Sequence, residues 1–215
     1  MEIYTRKQLK FYILADRMMN RGTFRLSIRD RLFNMFIPDY IMNYLVAMRK
    51  LSYYTHKKNS KLTFLLRAFY RIRYQKLGER LGYSIGYDTC GYGLVLPHYG
   101  TLIIGSNNRL GNFCVIHTLT NITNNGKLIG DGLYLSTGAV ITSPIRLGDN
   151  ISIGANSVVN KSFEQNNIMI AGAPAKYIKD SLPWYVRDGE QYQKRVSLVQ
   201  NIRSNFNYYG TQNKL

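Results

Sequence analysis

The sequence predicts a parallel β-solenoid preceded by a helical region, and three observations carry the prediction. Aliphatic residues recur every six positions through the second half of the chain. Small residues recur at fixed offsets from them. The first 80 residues differ from both: they are rich in Leu, Ile, Met, Tyr and Arg, poor in glycine, and hold a single proline, Pro38.

Ile104, Leu110, Ile116 and Ile122 are each six apart. After a one-residue slip within TNNGKL the series resumes at Ile129 and runs through Leu135, Ile141, Leu147, Ile153 and Val159. A helix would bring apolar residues together three and four apart, and a continuous strand two apart. A period of six belongs to a chain that turns a corner every six residues. Three short strands then make one coil, and each aliphatic points inward onto its counterpart in the next coil. The residue after the aliphatic is small or polar at Gly105, Gly111, Gly130, Ser136, Gly148 and Gly154. Small residues return at Cys114, Thr120, Ala139 and Ser157, where corners would otherwise be crowded. Ile85 to Ile104 is 19 positions, so the stretch from Ile85 fits as a first coil with one extra residue. The solenoid is expected over 84–172, about five coils.

Ahead of it, KQLKFYILADRMM predicts one helix. PDYIMNYLVAMRKLSYYT predicts a second, with Pro38 at its start and Asp39 in its first turn. KLTFLLRAFYRIRYQKLGERLG predicts a third that ends near Gly82. After the solenoid, SLPWYVRDGEQYQKRVSLVQNI reads as a further helix or an extended arm, and SNFNYYGTQNKL as a weakly ordered tail. Three segments follow: a basic helical region over 1–83, a β-helix over 84–180 and an extension over 181–215.

The net charge of +17 is unevenly placed. Residues 1–80 hold 18 Lys and Arg against 5 Asp and Glu, whereas the rest hold 11 against 7. Such a segment attracts anionic lipid, phosphorylated substrates or nucleic acid, or is simply a solvated helical face. Nucleic acid is the least expected, because the charge lies in predicted helices without a recognised binding motif. No apolar run is long enough to span a bilayer. MEIYTRKQLKFYILADR carries charges within its apolar stretch and does not read as a secretory leader. A cytoplasmic location is expected, with peripheral contact to the inner face of the membrane as an extension of it. Cys90 and Cys114 should then stay reduced, and their spacing is not that of a zinc site.

The hexapeptide repeat, the helices before it, PHYGT opening the solenoid and AGAPAK closing it resemble the left-handed β-helix acyltransferases. The similarity is to the branch of the serine acetyltransferases and their polysaccharide-modifying relatives. It implies a left-handed coil, a homotrimer, and acetyl-CoA as co-substrate in a groove between neighbouring solenoids. In that family the catalytic histidine sits in an Asp-His-Ala-Thr-Gly stretch, and LPHYGT puts His98 at its place. A neutral imidazole suits the task, since a hydroxyl attacking a thioester must lose its proton near pH 7. His117 lies 19 residues on, one coil plus the extra residue, which sets the two histidines at one corner of adjacent coils. It orients His98, binds the acceptor, or is a structural histidine. By the same resemblance Thr137 and Ala155 line the pantetheine channel, with Asn160 and Lys161 ending that coil. Lys176 and Lys179 would meet the phosphates of CoA. No metal is expected, because only two histidines lie in the solenoid. His56 reads as a loop histidine, and the two cysteines as small corner residues.

The departures from the serine enzymes bear on the acceptor. Pro97 stands where they carry the Asp that holds the amino acid. The carboxylate that orients the base falls near Ser84, with Asp88 close by in sequence, and the histidine-bearing loop is reduced to TNITNNGKLIG. Losing charged groups argues against a free amino acid. His98 with Asn121, Asn124, Asn125, Tyr99 and Tyr134 suits a sugar hydroxyl. The expectation is O-acetylation of a surface polysaccharide, capsule or O-antigen. The alternatives are transfer to serine or another small metabolite, and a non-catalytic trimeric scaffold.

Overall fold

The computed structural model describes residues 1–211. Four helices come first: α1 (Arg6–Arg21), α2 (Ile28–Phe36), α3 (Tyr40–His56) and α4 (Lys61–Leu81). Local chemistry fixes their ends. Thr5 and Gln8 form a reciprocal capping box at the start of α1, and Ser60 accepts the Thr63 N–H at the start of α4. Gly82, left-handed at φ 77°, stops α4 where the solenoid begins. The sequence places the start of α3 two residues early: Asp39 is its cap, accepting the Met42 N–H, and Pro38 lies outside. α2 was not anticipated, although Ser27 and Asp30 form a capping box at its start.

From Tyr83 the chain coils. The first face stacks β1 (Tyr83–Ile85), β2 (Leu102–Ile104), β5 (Thr120–Ile122), β8 (Val140–Ile141) and β11 (Val158–Val159) in parallel. The second stacks β3 (Arg109–Leu110), β6 (Leu128–Ile129) and β9 (Arg146–Leu147), extended by bridges at Cys90 and Phe163. The third stacks β4 (Val115–Ile116), β7 (Tyr134–Leu135), β10 (Ser152–Ile153) and β12 (Ile168–Gly172). This makes about five coils. All ten aliphatics of the repeat point inward and are at most 5% exposed. They form columns: Ile104, Ile122, Ile141 and Val159 on the first face, Leu110, Ile129 and Leu147 on the second, Ile116, Leu135 and Ile153 on the third. One corner shows why small residues are needed. The carboxylate of Asp131 accepts the Asn112 N–H at 2.7 Å, that of Asp149 the Asp131 N–H, and the amide oxygen of Asn166 the Asp149 N–H. A Cβ on Gly111 or Gly130 would collide with the Asp131 or Asp149 side chain. The slip in TNNGKL is a loop between β5 and β6 that buries Lys127, whose ammonium donates to the Thr123 hydroxyl and carbonyl.

The solenoid's first coil would be an open edge, and the helices close it. Asn20 of α1 donates to the Leu94 carbonyl and accepts the Leu96 N–H. Arg49 of α3 is fully buried, paired with Asp16 at 2.8 Å, and donates to the carbonyls of Cys90 and Gly91. Asp16 also accepts the Leu94 N–H. At the other end β13 (Ala175–Asp180) folds back antiparallel on β12, the turn lying between Gly172 and Ala175. The chain then returns along the third face. Trp184 of α5 (Trp184–Arg187) is buried and donates its indole N–H to the Phe113 carbonyl at 2.7 Å. α6 (Glu190–Thr211) packs on α1, where Arg195 donates to the Met19 carbonyl. The expected weak order over 204–211 is thus replaced by helix, because Val196 and Val199 bury against α1 and the third face. The last residues of that predicted tail, 212–215, lie outside the described residues.

Candidate active site

The corner between the third and first faces collects most of the candidate residues. His98 sits in the turn after Leu96 and Pro97, exposed, with its carbonyl accepting the Tyr83 hydroxyl at 2.5 Å. His117 follows β4 at the same corner one coil on. Its N–H donates to the Leu135 carbonyl, and its carbonyl accepts the Thr120 hydroxyl at 2.8 Å. The backbone of a stacked strand therefore holds this imidazole, not a loop. Its Nε2 is buried and has no hydrogen-bond partner. The ring leans on Tyr134, centroids 5.0 Å apart. Burial pushes the pKa of His117 below its ordinary value, the charge of nearby His98 adds to this, and Asp188 partly opposes it. A neutral imidazole with a free ring nitrogen can accept a proton.

The column continues down the corner. His117, Ser136, Gly154 and Ala171 follow one another, each N–H of the first three bonding to the carbonyl that precedes its neighbour one coil on. Thr137 and Ala155 are the next residues along and are exposed. Lys176 lies opposite Ala171 on β13, and Lys179 opposite Met169. Lys179 also lines a groove of about 520 Å³ with Tyr134, Ser136, Ser152 and Arg187, a volume in the range of small-molecule sites. Asn160 and Lys161 are not part of this set. They follow β11 on the first face and turn the next corner, where the Lys161 ammonium lies 5.4 Å from the Phe163 ring.

Other expected neighbours are absent from the corner. Asp88 does not reach His98. It pairs with His56 at 2.7 Å and accepts the Ser52 hydroxyl, tying α3 to the first coil, so both Asp88 and His56 are accounted for structurally. Asn124 and Asn125 are occupied in the loop before β6, accepting the Asn107 N–H and donating to the Thr142 carbonyl. Tyr99 is exposed beside His98, and Tyr134 packs on His117. Burial raises the pKa of both Cys90 and Cys114, which keeps them as thiols rather than nucleophiles. Among the described residues no three His, Cys, Asp or Glu side chains gather as a metal site.

Sequence reasoning missed Arg187. Its guanidinium lies 4.7 Å from the Tyr134 ring centroid, donates to Ser152 Oγ at 3.0 Å and pairs with Asp188. α5 thus delivers a cation to the groove beside His117. Its only sequence signal was an arginine three residues after the chain's single tryptophan.

No family model matches the chain. Among curated proteins it is 26% identical over 84 residues to the bifunctional protein GlmU of Saccharophagus degradans, covering 39% of this chain and 19% of that protein. It is 26% identical over 95 residues to a serine acetyltransferase of Synechococcus elongatus, covering 41% and 38%. The chain thus spans about a fifth of the GlmU relative's length and under two fifths of the other's. Among solved structures, soybean serine acetyltransferase complexed with serine superposes with a TM-score of 0.60 at 18% identity, over 80% of this chain and 70% of that one. A serine acetyltransferase complexed with CoA gives 0.53 at 17%, over 79% and 67%. The fold is a left-handed parallel β-helix. At these identities the structural likeness speaks for architecture, and the corner geometry carries the chemistry.

Among the described residues no helix is long and apolar enough to cross a membrane.

Proposed function

We propose that the chain is an acetyl-CoA-dependent O-acetyltransferase with His98 as general base. The observation that carries this is two imidazoles at one corner of adjacent coils, His117 held toward its neutral form, above a groove that leads to Lys179. His98 takes the proton of the acceptor hydroxyl as its oxygen attacks the thioester carbonyl, and returns a proton to the departing CoA sulfur. His117 beside it disfavours a permanently charged pair. Thr137 and Ala155 would flank the pantetheine arm, and Lys176 and Lys179 would meet the phosphates. Asn160 and Lys161 lie one corner away, outside this groove, and would meet the cofactor only if it reached across the first face. The solenoid over 84–180 would form a homotrimer, whose neighbouring subunit covers the exposed His98. The basic region over 1–83 would rest a cytoplasmic enzyme against the membrane, while the extension over 181–215 gives Ser181, Leu182 and Arg187 to the groove wall.

Serine, or another small hydroxylated metabolite, is the acceptor that the comparisons support best. A surface-polysaccharide sugar is the second reading, carried by Pro97, which supplies no carboxylate before His98 to hold an amino group. Thiol release from acetyl-CoA, measured across serine, other small alcohols, nucleotide sugars and glycan fragments, separates them. Release with serine supports the first, and release that requires a sugar supports the second. No release with any acceptor, together with no acetyl-CoA binding, rejects both and leaves a trimeric scaffold.

A further inference from the structure

Two helices of the cap, α2 and α4, turn apolar residues outward. α2 is amphipathic, and the side carrying the half-buried Asn34 and the exposed Asp30 is the one turned toward the rest of the cap. There they line a cavity of about 470 Å³ with Arg21, Asp39 and Asn43. Its apolar residues Ile28, Leu32, Phe33, Met35 and Phe36 face outward and are 58–83% exposed. Ile37, just past its end, is 61% exposed. α4 repeats the pattern: Leu62, Leu65, Phe69 and Ile72 recur at helical spacing and are each more than half exposed. An ordinary surface helix turns such a face inward, and exposed apolar surface of this extent marks an interaction site.

The charge around these faces selects the partner. Arg25 and Arg29 are exposed at α2, and Lys61, Arg71, Arg73 and Lys76 at α4. Residues 1–80 hold 18 Lys and Arg against 5 Asp and Glu. Covering the apolar faces with a second copy would bring two strongly positive surfaces together, which Coulomb repulsion opposes. An anionic surface has the complementary charge.

We propose that α2, assisted by the outer stripe of α4, is an interfacial anchor for anionic lipid. The apolar side chains enter the boundary between head groups and acyl chains, and the arginines meet lipid phosphates. This assigns the contact to a particular helix face and adds insertion to charge attraction. It holds whether or not the chain transfers an acetyl group.

The test is co-sedimentation of the full chain with phosphatidylcholine vesicles, with and without phosphatidylserine, at ~0.05 M and ~0.5 M salt. Binding should require phosphatidylserine and weaken at the higher salt. Phe33→Ser with Phe36→Ser should weaken it about tenfold or more. Arg25→Glu with Arg29→Glu should do so by at least about tenfold. Oligomer mass by light scattering should be that of the wild type in both. If the phenylalanine pair misfolds by circular dichroism, the arginine pair carries the test. The proposal fails if the wild type ignores phosphatidylserine vesicles at low salt, or if neither folded variant loses binding. It also fails if the phenylalanine variant falls to a smaller oligomer, which would make the face a subunit contact.

Discussion

The solenoid and the helical cap treat the same residue types in opposite ways. In the solenoid every aliphatic of the repeat is at most 5% exposed, while in the cap Phe36 is 83% and Met35 75% exposed. The difference follows from how each region specifies direction. A coil fixes inward and outward by its corners, and stacking leaves a repeat position no second choice. The side chains it leaves free for chemistry are therefore those at the corners, where the residues proposed for acyl transfer, among them His98, His117 and Thr137, lie. A helix presents all its faces and hides one only if something lies against it. In the cap, α1 and α3 have the solenoid's edge to cover, and α2 does not.

Arg49→Met should have the largest effect on stability, because the two regions meet at that residue. It leaves Asp16 buried without its partner, and denaturant unfolding should show a loss of about 3–5 kcal/mol. A loss below about 1 kcal/mol would mean that the cap is not held through this pair. The same substitution made in each region is the next test. Leu135→Ala opens the solenoid core and should cost about 2–5 kcal/mol. Leu32→Ala on α2 should cost no more than about 0.5 kcal/mol. Equal costs in thermal unfolding would contradict the assignment of α2 to an outward face.

The smallest effect is a pH dependence. His117 has a lower pKa folded than its ordinary 6.5, chiefly through burial. The unfolded chain then binds more protons in mild acid, so the stabilising contribution is complete above that value and declines as pH falls toward the folded one. His117→Asn should flatten this slope, and a mutant whose stability still falls equally between neutral and mildly acidic pH would locate the effect elsewhere.

Much of the architecture was legible because the period of six has one geometric solution. The ten aliphatics, the five coils and the extra residue of the first coil all follow from counting, and so does the meeting of His98 with His117. α1, α3 and α4 were legible from composition and end signals. What could not be read depended on contacts between distant segments. Asp88 looked available to His98 by sequence distance, yet α3 brings His56 to it instead. Arg187 reaches the groove only because Trp184 buries against Phe113. Asn124 and Asn125 are consumed by the very slip that interrupts the repeat. α2 was missed because its apolar residues answer to no core.

The central claim is that the histidine corner performs acyl transfer, and the direct test is thiol release from acetyl-CoA by purified wild type, His98→Ala and His117→Ala, each first shown to bind acetyl-CoA. The account predicts a fall of about 10²–10⁴-fold in kcat for His98→Ala with cofactor binding retained, and a smaller fall for His117→Ala. Undiminished turnover in His98→Ala would contradict it.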